Sequence, residues 1–125
     1  MKKFKPMLLV MIAAYLMFTS SAFANSSKVD VTKHENESFV QSEKLYTDGE
    51  EVELNPYMLA AGNAEVYVLF EDLESDRTRL MSKLVLTPEM KGLSILSTHR
   101  NSGPGYYYIQ IRGDYNAYVS ARLKK

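Results

Sequence analysis

The chain has 125 residues, with 15 basic and 15 acidic side chains and no cysteine. The balanced charge excludes a strongly cationic protein held to nucleic acid by charge alone. The missing thiols exclude a disulfide scaffold, a cysteine nucleophile and a cysteine-ligated zinc site. The length predicts one domain with a modest core, small for an enzyme with a deep cleft.

Residues 1–24 have the three parts of a secretory signal peptide. Three lysines make the first five residues basic, residues 7–18 are apolar, and Ala22 and Ala24 supply the small side chains of a cleavage site before Asn25. The apolar run is too short to span a bilayer comfortably, which favours cleavage over a permanent anchor. We therefore predict a secreted bacterial protein, periplasmic if the cell is Gram-negative, with no membrane span after cleavage.

Residues 25–37 form a polar leader in which Val29 and Val31 are the only apolar side chains. Their alternation with Asp30 indicates a short edge strand. The polar composition fits a disordered leader equally well. Both alternatives stay open, and the folded domain is predicted to begin at residue 38.

Residues 38–125 consist of short apolar runs separated by segments rich in glycine, asparagine and proline. This pattern predicts an all-β domain, a single antiparallel β-sandwich of seven or eight strands with Greek-key or jelly-roll-like connections. One short helix at residues 56–61 or 80–86 is the alternative. Residues 66–70 are apolar on both faces, which predicts a central strand covered on both sides.

An acidic run follows this central strand. Asp72, Glu74 and Asp76 have a spacing with which a loop can wrap a hard cation such as Ca²⁺. The run is not an EF-hand loop, because Arg77 and Lys83 occupy the positions of its glycine and its last glutamate. A solvated loop that blunts the strand ends is the alternative, and no other cofactor is predicted.

The last two predicted strands alternate apolar side chains with tyrosine, arginine and other polar ones. Pairing residues 106–112 with residues 117–123 as a hairpin, with Ile109 opposite Val119, places the two apolar sets on one face. The opposite face then carries an exposed ladder that we predict to bind a partner, formed by Tyr106, Tyr108, Tyr118, Arg112 and Arg122. Cross-strand packing with a cation–π pair and no ligand is the alternative.

Charge is distributed unevenly along the exported part of the chain. Residues 25–76 contain 13 acidic and 3 basic side chains, whereas residues 77–125 contain 9 basic and 2 acidic ones. The two halves either interleave in the sheets and neutralise each other, or form a polarised surface that attracts an anionic partner. The sequence leaves both interpretations open.

Catalytic motifs are absent from the sequence. The two histidines are His34, in the polar leader, and His99, just before the loop at residues 101–105. No spacing assigns acid and base roles to a pair of carboxylates. We therefore predict that the protein is not an enzyme.

Residues 105–113 read Gly-Tyr-Tyr-Tyr-Ile-Gln-Ile-Arg-Gly and are followed by Tyr118, Val119 and Ser120. This stretch resembles the end of bacterial pre-peptidase C-terminal (PPC) domains, β-sandwiches that close with a Gly-x-Tyr-Tyr-hydrophobic-x-Val strand and a Tyr-x-Leu strand. Residues 63–68 lack the Asp-rich signature of that family. The resemblance implies a noncatalytic accessory or binding sandwich and assigns no functional residue.

Export, size and the missing catalytic motifs favour a secreted, noncatalytic β-sandwich that binds an extracellular partner. The candidate partners are a cell-envelope glycan, a matrix component and a secreted protein, but not nucleic acid. One alternative is a small effector, such as a peptidase inhibitor, a bacteriocin-like toxin or an immunity factor, acting through the loop at residues 101–105. The other is a structural subunit of a matrix or surface layer.

Overall fold

Nine β-strands and one turn of 3₁₀-helix build residues 27–125, the part of the chain that the computed structural model describes. The predicted signal peptide at residues 1–24 lies outside the described residues. Within residues 27–125 no helix has the length and apolar content needed to cross a membrane. The strands are β1 (Lys28–Lys33), β2 (Phe39–Gln41), β3 (Leu45–Asp48), β4 (Glu51–Ala60), β5 (Ala64–Asp72), β6 (Arg77–Leu86), β7 (Ser97–Arg100), β8 (Pro104–Gly113) and β9 (Tyr118–Lys124), and the 3₁₀-turn is Pro88–Met90.

The strands form two antiparallel sheets. Sheet 1 has the order β1–β9–β4–β7, and sheet 2 has the order β2–β8–β5–β6, with β3 beside β2 on the same edge of β8. Ser42 bridges β2 and β3, because its N–H donates to Ile109 O (2.9 Å) and its Oγ accepts from Ile109 N (2.8 Å). Counted as one interrupted strand, β2 and β3 complete a jelly roll of two four-stranded sheets. The predicted all-β sandwich is confirmed, with eight strands in residues 38–125 and a ninth, β1, in the polar leader.

Apolar and polar side chains alternate along the long strands, so each sheet turns one face towards the other. In β4, Val52 and Leu54 are buried while Glu51, Glu53 and Asn55 are exposed. This period of two follows from the pleat of a strand. The buried side chains form one core between the sheets, made of Val29, Leu45, Val52, Leu54, Met58, Ala64, Val66, Val68, Phe70, Leu86, Tyr107, Ile109, Ile111, Ala117, Val119, Ala121 and Leu123.

The predicted hairpin of the last two strands is wrong. Strand β8 pairs with β5, β2 and β3, whereas β9 pairs with β1 and β4 in the other sheet. Ile109 and Val119 both turn into the core, but from opposite sheets. Alternation identifies the inward face of a strand and carries no information about its pairing partner, which explains the error.

The central position of residues 66–70 is confirmed, because β5 lies between β8 and β6. Their predicted coverage on both sides is wrong. Val66 and Val68 are fully buried, but Tyr67 and Leu69 on the outer face are only half-buried. Side chains of neighbouring strands, and not a further layer, shield this face within residues 27–125.

The acidic and basic halves of the chain interleave. In both sheets, strands from residues 27–76 alternate with strands from residues 77–125. The jelly-roll order therefore brings opposite charges side by side, as the first interpretation of the charge pattern requires. Within residues 27–125, three ion pairs join the halves, namely Arg122 Nε–Asp30 Oδ1 (2.6 Å), Lys125 Nζ–Glu50 Oε1 (3.7 Å) and Lys83 Nζ–Glu65 Oε2 (3.8 Å).

The polar leader contributes an edge strand, since β1 pairs with β9 along its whole length. The last residue of β1, Lys33, is fully buried. The Nζ of Lys33 donates to Ala117 O (2.6 Å), Asp114 O (2.7 Å) and, less closely, His34 O (3.4 Å). The sandwich therefore begins at Lys28 and not at residue 38, and the leader fixes the loop between β8 and β9.

Candidate functional site

The predicted tyrosine and arginine ladder is divided between opposite faces of the sandwich. Tyr106, Tyr108 and Arg112 lie on the outer face of sheet 2, whereas Tyr118 and Arg122 lie on the outer face of sheet 1. The faces point in opposite directions, and packed sheets are about 10 Å apart. The structure therefore brings together two subsets, and each has to be considered with its own neighbours.

We call the outer face of sheet 2 the aromatic face, after Phe39, Tyr46, Tyr67, Tyr106 and Tyr108. Its rings contact the protein's own cations and one another. The Nζ of Lys44 lies 5.8 Å from the ring centroid of Tyr108 and donates to Glu71 Oε2 (2.6 Å). This hydrogen bond raises the pKa of Lys44. The rings of Tyr46 and Tyr106 meet edge to face at 5.6 Å.

A second group on the aromatic face forms a ladder across four strands. The guanidinium of Arg112 lies 5.4 Å from the ring centroid of Phe39 and 5.8 Å from that of Tyr67. Lys83 reaches the same Tyr67 ring at 5.8 Å. The Tyr67 hydroxyl donates to Glu65, and this bond raises the pKa of Tyr67. These contacts match the alternative of cross-strand packing with cation–π pairs, because the ring faces already have partners.

The outer face of sheet 1 carries a polar groove over the middle of β9, which we call the β9 groove. It encloses about 280 Å³ between β1 on one side and the segment that precedes β7 on the other. Ser120 and Arg122 project from β9 between the outward side chains of β1 and β4. The lining residues are Asp30, Asn55, Tyr57, Ser94, Ser120, Ala121 and Arg122.

Strand register positions the charged pair of the β9 groove. Arg122 lies opposite Asp30 on β1 and opposite Asn55 on β4. Its Nε donates to Asp30 Oδ1 at 2.6 Å, and both side chains are about half exposed. Within residues 27–125, neither the Asp30 side chain nor the Arg122 side chain makes another hydrogen bond. The terminal guanidinium nitrogens and the second carboxylate oxygen therefore keep donor and acceptor capacity for a ligand.

Tyr57 supplies the aromatic surface of the β9 groove. It lies opposite Ser120 on β9 and is 40 % exposed. Among residues 27–125 no other ring and no cation lies on the Tyr57 ring, in contrast to the rings of the aromatic face. Tyr118 is the next outward residue of β9 beyond Ser120, and its ring packs against His34 at 5.2 Å. Tyr118 and Arg122 thus share one face, with Tyr57 between β9 and the edge of the sheet.

The predicted calcium site does not form. Asp72 Oδ1 accepts a hydrogen bond from the N–H of Glu74 (2.9 Å), which lowers the pKa of Asp72 and closes a turn. Asp76 adopts a left-handed backbone conformation (φ 55°) in the same turn. Within residues 27–125 no three carboxylates or imidazoles are arranged to hold a metal ion. The Asp72 carboxylate is therefore engaged in the turn between β5 and β6, and the Glu74 and Asp76 side chains are exposed.

No arrangement of catalytic groups surrounds either histidine in the described part of the chain. His99 Nε2 lies 3.1 Å from Ser97 Oγ, and burial lowers the pKa of His99. No carboxylate is hydrogen-bonded to this imidazole within residues 27–125. The neighbouring loop is tied down, because Arg79 bonds to Asn101 and the N–H of Leu73 donates to Pro104 O (3.1 Å).

Most residues of the β9 groove are not predicted from the sequence. Asn55 and Tyr57 occupy outward positions of β4, and their alternation with buried neighbours is a usable signal. Asp30 lies on an edge strand that the sequence leaves undecided. Ser94 comes from an irregular segment with no periodicity to indicate its position.

Comparison with known proteins assigns no family. No protein-family model matches the chain, and no curated protein matches it. A mitogen derived from Yersinia pseudotuberculosis has 6 % identity and a TM-score of 0.47 over 77 % of this chain and 82 % of that one. A family 29 carbohydrate-binding module has 10 % identity and a TM-score of 0.45 over 77 % and 69 %. A xylan-binding domain from Paenibacillus barcinonensis has 9 % identity and a TM-score of 0.43 over 81 % and 96 %.

Likeness at this level does not carry a ligand or an activity from those proteins to this chain. The resemblance to PPC domains stays a prediction. The functional proposals therefore depend on the residues of the chain itself.

Proposed function

We propose that the protein is a noncatalytic binding protein and that its ligand is a glycan held in the β9 groove. The observation that carries the proposal is the ring of Tyr57, which is 40 % exposed and has no aromatic or cationic neighbour within residues 27–125. It lies beside the half-exposed Asp30–Arg122 pair, Asn55 and Ser120. Binding sites of this kind combine a concave surface with a few well-placed polar groups. The aromatic face has more rings, but four of the five lie against a lysine or arginine, and the fifth, Tyr106, packs against Tyr46.

The donors and acceptors of the groove suit a ligand rich in neighbouring hydroxyl groups. One hydroxyl donates to the second oxygen of Asp30, and the next accepts from a terminal nitrogen of Arg122. The Asn55 amide both donates and accepts, and the Ser120 hydroxyl, which is hydrogen-bonded to the Thr32 hydroxyl (3.3 Å), keeps acceptor capacity for a ligand. The Tyr57 ring packs against the apolar C–H face of the sugar while its hydroxyl reaches water. The opposed charges of Asp30 and Arg122 favour a neutral sugar unit at this position.

A noncatalytic role is supported by the geometry at the groove. Acid–base catalysis needs a titratable group positioned against the reacting bond, with a pKa matched to the working pH. In the β9 groove the carboxylate of Asp30 is paired with Arg122, and no second carboxylate and no imidazole lines the groove within residues 27–125.

We further propose that the protein acts outside a bacterial cell after cleavage behind Ala24. The basic start, the apolar run of residues 7–18 and the small residues at the cleavage site support this proposal. Expression of the full chain in a bacterial host, followed by Edman sequencing of the protein in the culture medium, tests it. We expect Asn25 as the first residue. A full-length protein retained in the cell membrane would contradict the proposal.

The binding site is tested by affinity electrophoresis in gels containing xylan, mixed-linkage β-glucan or galactomannan, and by pull-down on chitin and peptidoglycan. We expect retardation or capture by at least one of these polymers. Tyr57→Ala and Arg122→Ala should each weaken binding at least tenfold, because each removes a contact at the centre of the groove.

Matched controls come from the aromatic face. Tyr108→Ala and Arg112→Ala make the same changes on the opposite sheet and should leave the affinity within twofold of the wild type. Circular dichroism establishes that all four variants are folded. Loss of binding in the two controls, with full binding in Tyr57→Ala and Arg122→Ala, would refute the groove and assign the ligand to the aromatic face.

A further inference from the structure

A second depression continues the β9 groove along the same two strands. It encloses about 270 Å³ and is lined by Glu51, Glu53, Lys124 and Lys125. In the register of sheet 1 the pair Glu53–Lys124 directly follows the pair Asn55–Arg122 on the same outward face. The two depressions therefore lie end to end along β4 and β9, and we call them together the trough.

The trough is long compared with a single sugar unit. Its outward β4 side chains run from Tyr57 to Glu51, six residues apart, which corresponds to roughly 20 Å along a strand. The first depression accounts for only the part next to Tyr57 and Asn55. A ligand confined to that part would leave the second depression unused.

We propose that the trough binds an extended glycan of several units lying along β9, an inner segment of a chain rather than a chain end. This inference rests on the proposed function of the β9 groove and specifies the form of its ligand. The unit over Tyr57 packs against the ring, and the following units lie over Glu53 and Lys124. Each further unit adds contacts until the trough is filled.

The second depression is suited to such a neighbouring unit. The side chain of Lys125 is anchored, because its Nζ donates to Tyr46 O (2.9 Å) and lies 3.7 Å from Glu50 Oε1. Glu53 and Lys124 are exposed and lie directly opposite each other. Together they offer carboxylate acceptors and ammonium donors to ligand hydroxyls without a net charge.

Titration calorimetry with oligosaccharides of increasing length tests the inference. The probes are oligomers of xylose, glucose, mannose and N-acetylglucosamine with two to six units, chosen by the polymer that retards the protein. We expect the affinity to rise at least tenfold from the two-unit to the six-unit oligomer. The double variant Glu53→Gln/Lys124→Gln should lose this rise and keep the affinity for two units. The matched control Glu65→Gln/Lys83→Gln, on the opposite sheet, should keep the rise.

The outcomes separate this inference from the proposed function. Equal affinity for two-unit and six-unit oligomers would overturn the extended ligand while the groove stays a glycan site. An undiminished rise in Glu53→Gln/Lys124→Gln would overturn the second depression as its cause. Failure of every oligomer and polymer to bind would overturn the proposed function, and this inference with it.

Discussion

Replacing Lys33 with methionine should destabilise the protein by about 2 kcal/mol. Methionine keeps most of the side-chain volume but removes the ammonium that bonds to Ala117 O and Asp114 O. Hydrogen bonds to a charged group contribute about 1.5–3 kcal/mol each. Burial of the ammonium opposes this gain, and desolvation lowers the pKa of Lys33 despite the nearby carboxylates. We expect these two effects largely to cancel.

The net loss of stability in Lys33→Met therefore comes from a buried carbonyl group that is left without its hydrogen-bond donor. Asp114 O still accepts from the N–H of Ala117 (3.1 Å), but Ala117 O lies in a fully buried residue and loses the Lys33 ammonium. A buried acceptor without a partner costs about 1–3 kcal/mol. For a domain of this size, 2 kcal/mol corresponds to a fall in Tm of about 10 °C.

Urea denaturation followed by circular dichroism measures this loss. Lys28→Met is the matched control, because it makes the same change on the same strand at an exposed position. The control should lie within about 0.5 kcal/mol of the wild type, as surface substitutions usually do. If Lys33→Met also fell within that range, the buried ammonium would not hold the loop between β8 and β9, and the reasoning would be refuted.

Three further predictions concern the core and the rim of the sandwich. The Tyr107 hydroxyl is buried without a hydrogen-bond partner in the described chain. Tyr107→Phe should therefore raise the free energy of unfolding, measured by urea titration, by about 1 kcal/mol. A fall of that size would show that the hydroxyl is hydrogen-bonded. A Cβ at Gly105 would clash with the Phe70 ring and lie 2.5 Å from Glu71 O. Gly105→Ala should therefore lower the free energy of unfolding by about 1–3 kcal/mol. An unchanged Tm would contradict this. Burial lowers the pKa of His99 in the folded state, so the unfolded chain binds the proton more tightly and stability should fall as the pH drops below about 7. Denaturation at several pH values should show a weaker fall in His99→Gln; equal pH dependence in both proteins would exclude His99 as the cause.

Fold class and the inward faces were accessible from the sequence because they depend on local alternation. Ile109 and Val119 are buried, as the period of two requires. Their pairing was inaccessible, since an inward face fits a strand of the same sheet and a strand of the opposite sheet equally well. The burial of Lys33 was inaccessible for a related reason. The three acceptors of Lys33 are backbone carbonyl groups, and two of them come from a loop about 80 residues away. No pattern of side chains in the sequence therefore predicts these hydrogen bonds.

The residues of the β9 groove could not be predicted from the sequence for the same reason. Its walls come from β1, β4, β9 and the segment containing Ser94, which are distant in sequence and meet only through jelly-roll order. Arg122 was identified from a cluster of tyrosines and arginines, but three of the four residues grouped with it, Tyr106, Tyr108 and Arg112, lie on the opposite sheet. Asp30 and Asn55, its actual neighbours, belong to the acidic half of the chain.

The number of aromatic residues on a surface is a poor guide to where a ligand binds. A ring contributes binding free energy through a face that is open in the free protein. Tyr67 and Tyr108 have lysine or arginine within 6 Å of their ring centroids, so a ligand would first have to displace these cations. Tyr57 has no such contact in the described residues, and a polar groove lies beside it. One exposed ring without a cation on it in the described residues, with acceptors and donors around it, is therefore a better candidate site than five rings that already pack against cations or other rings.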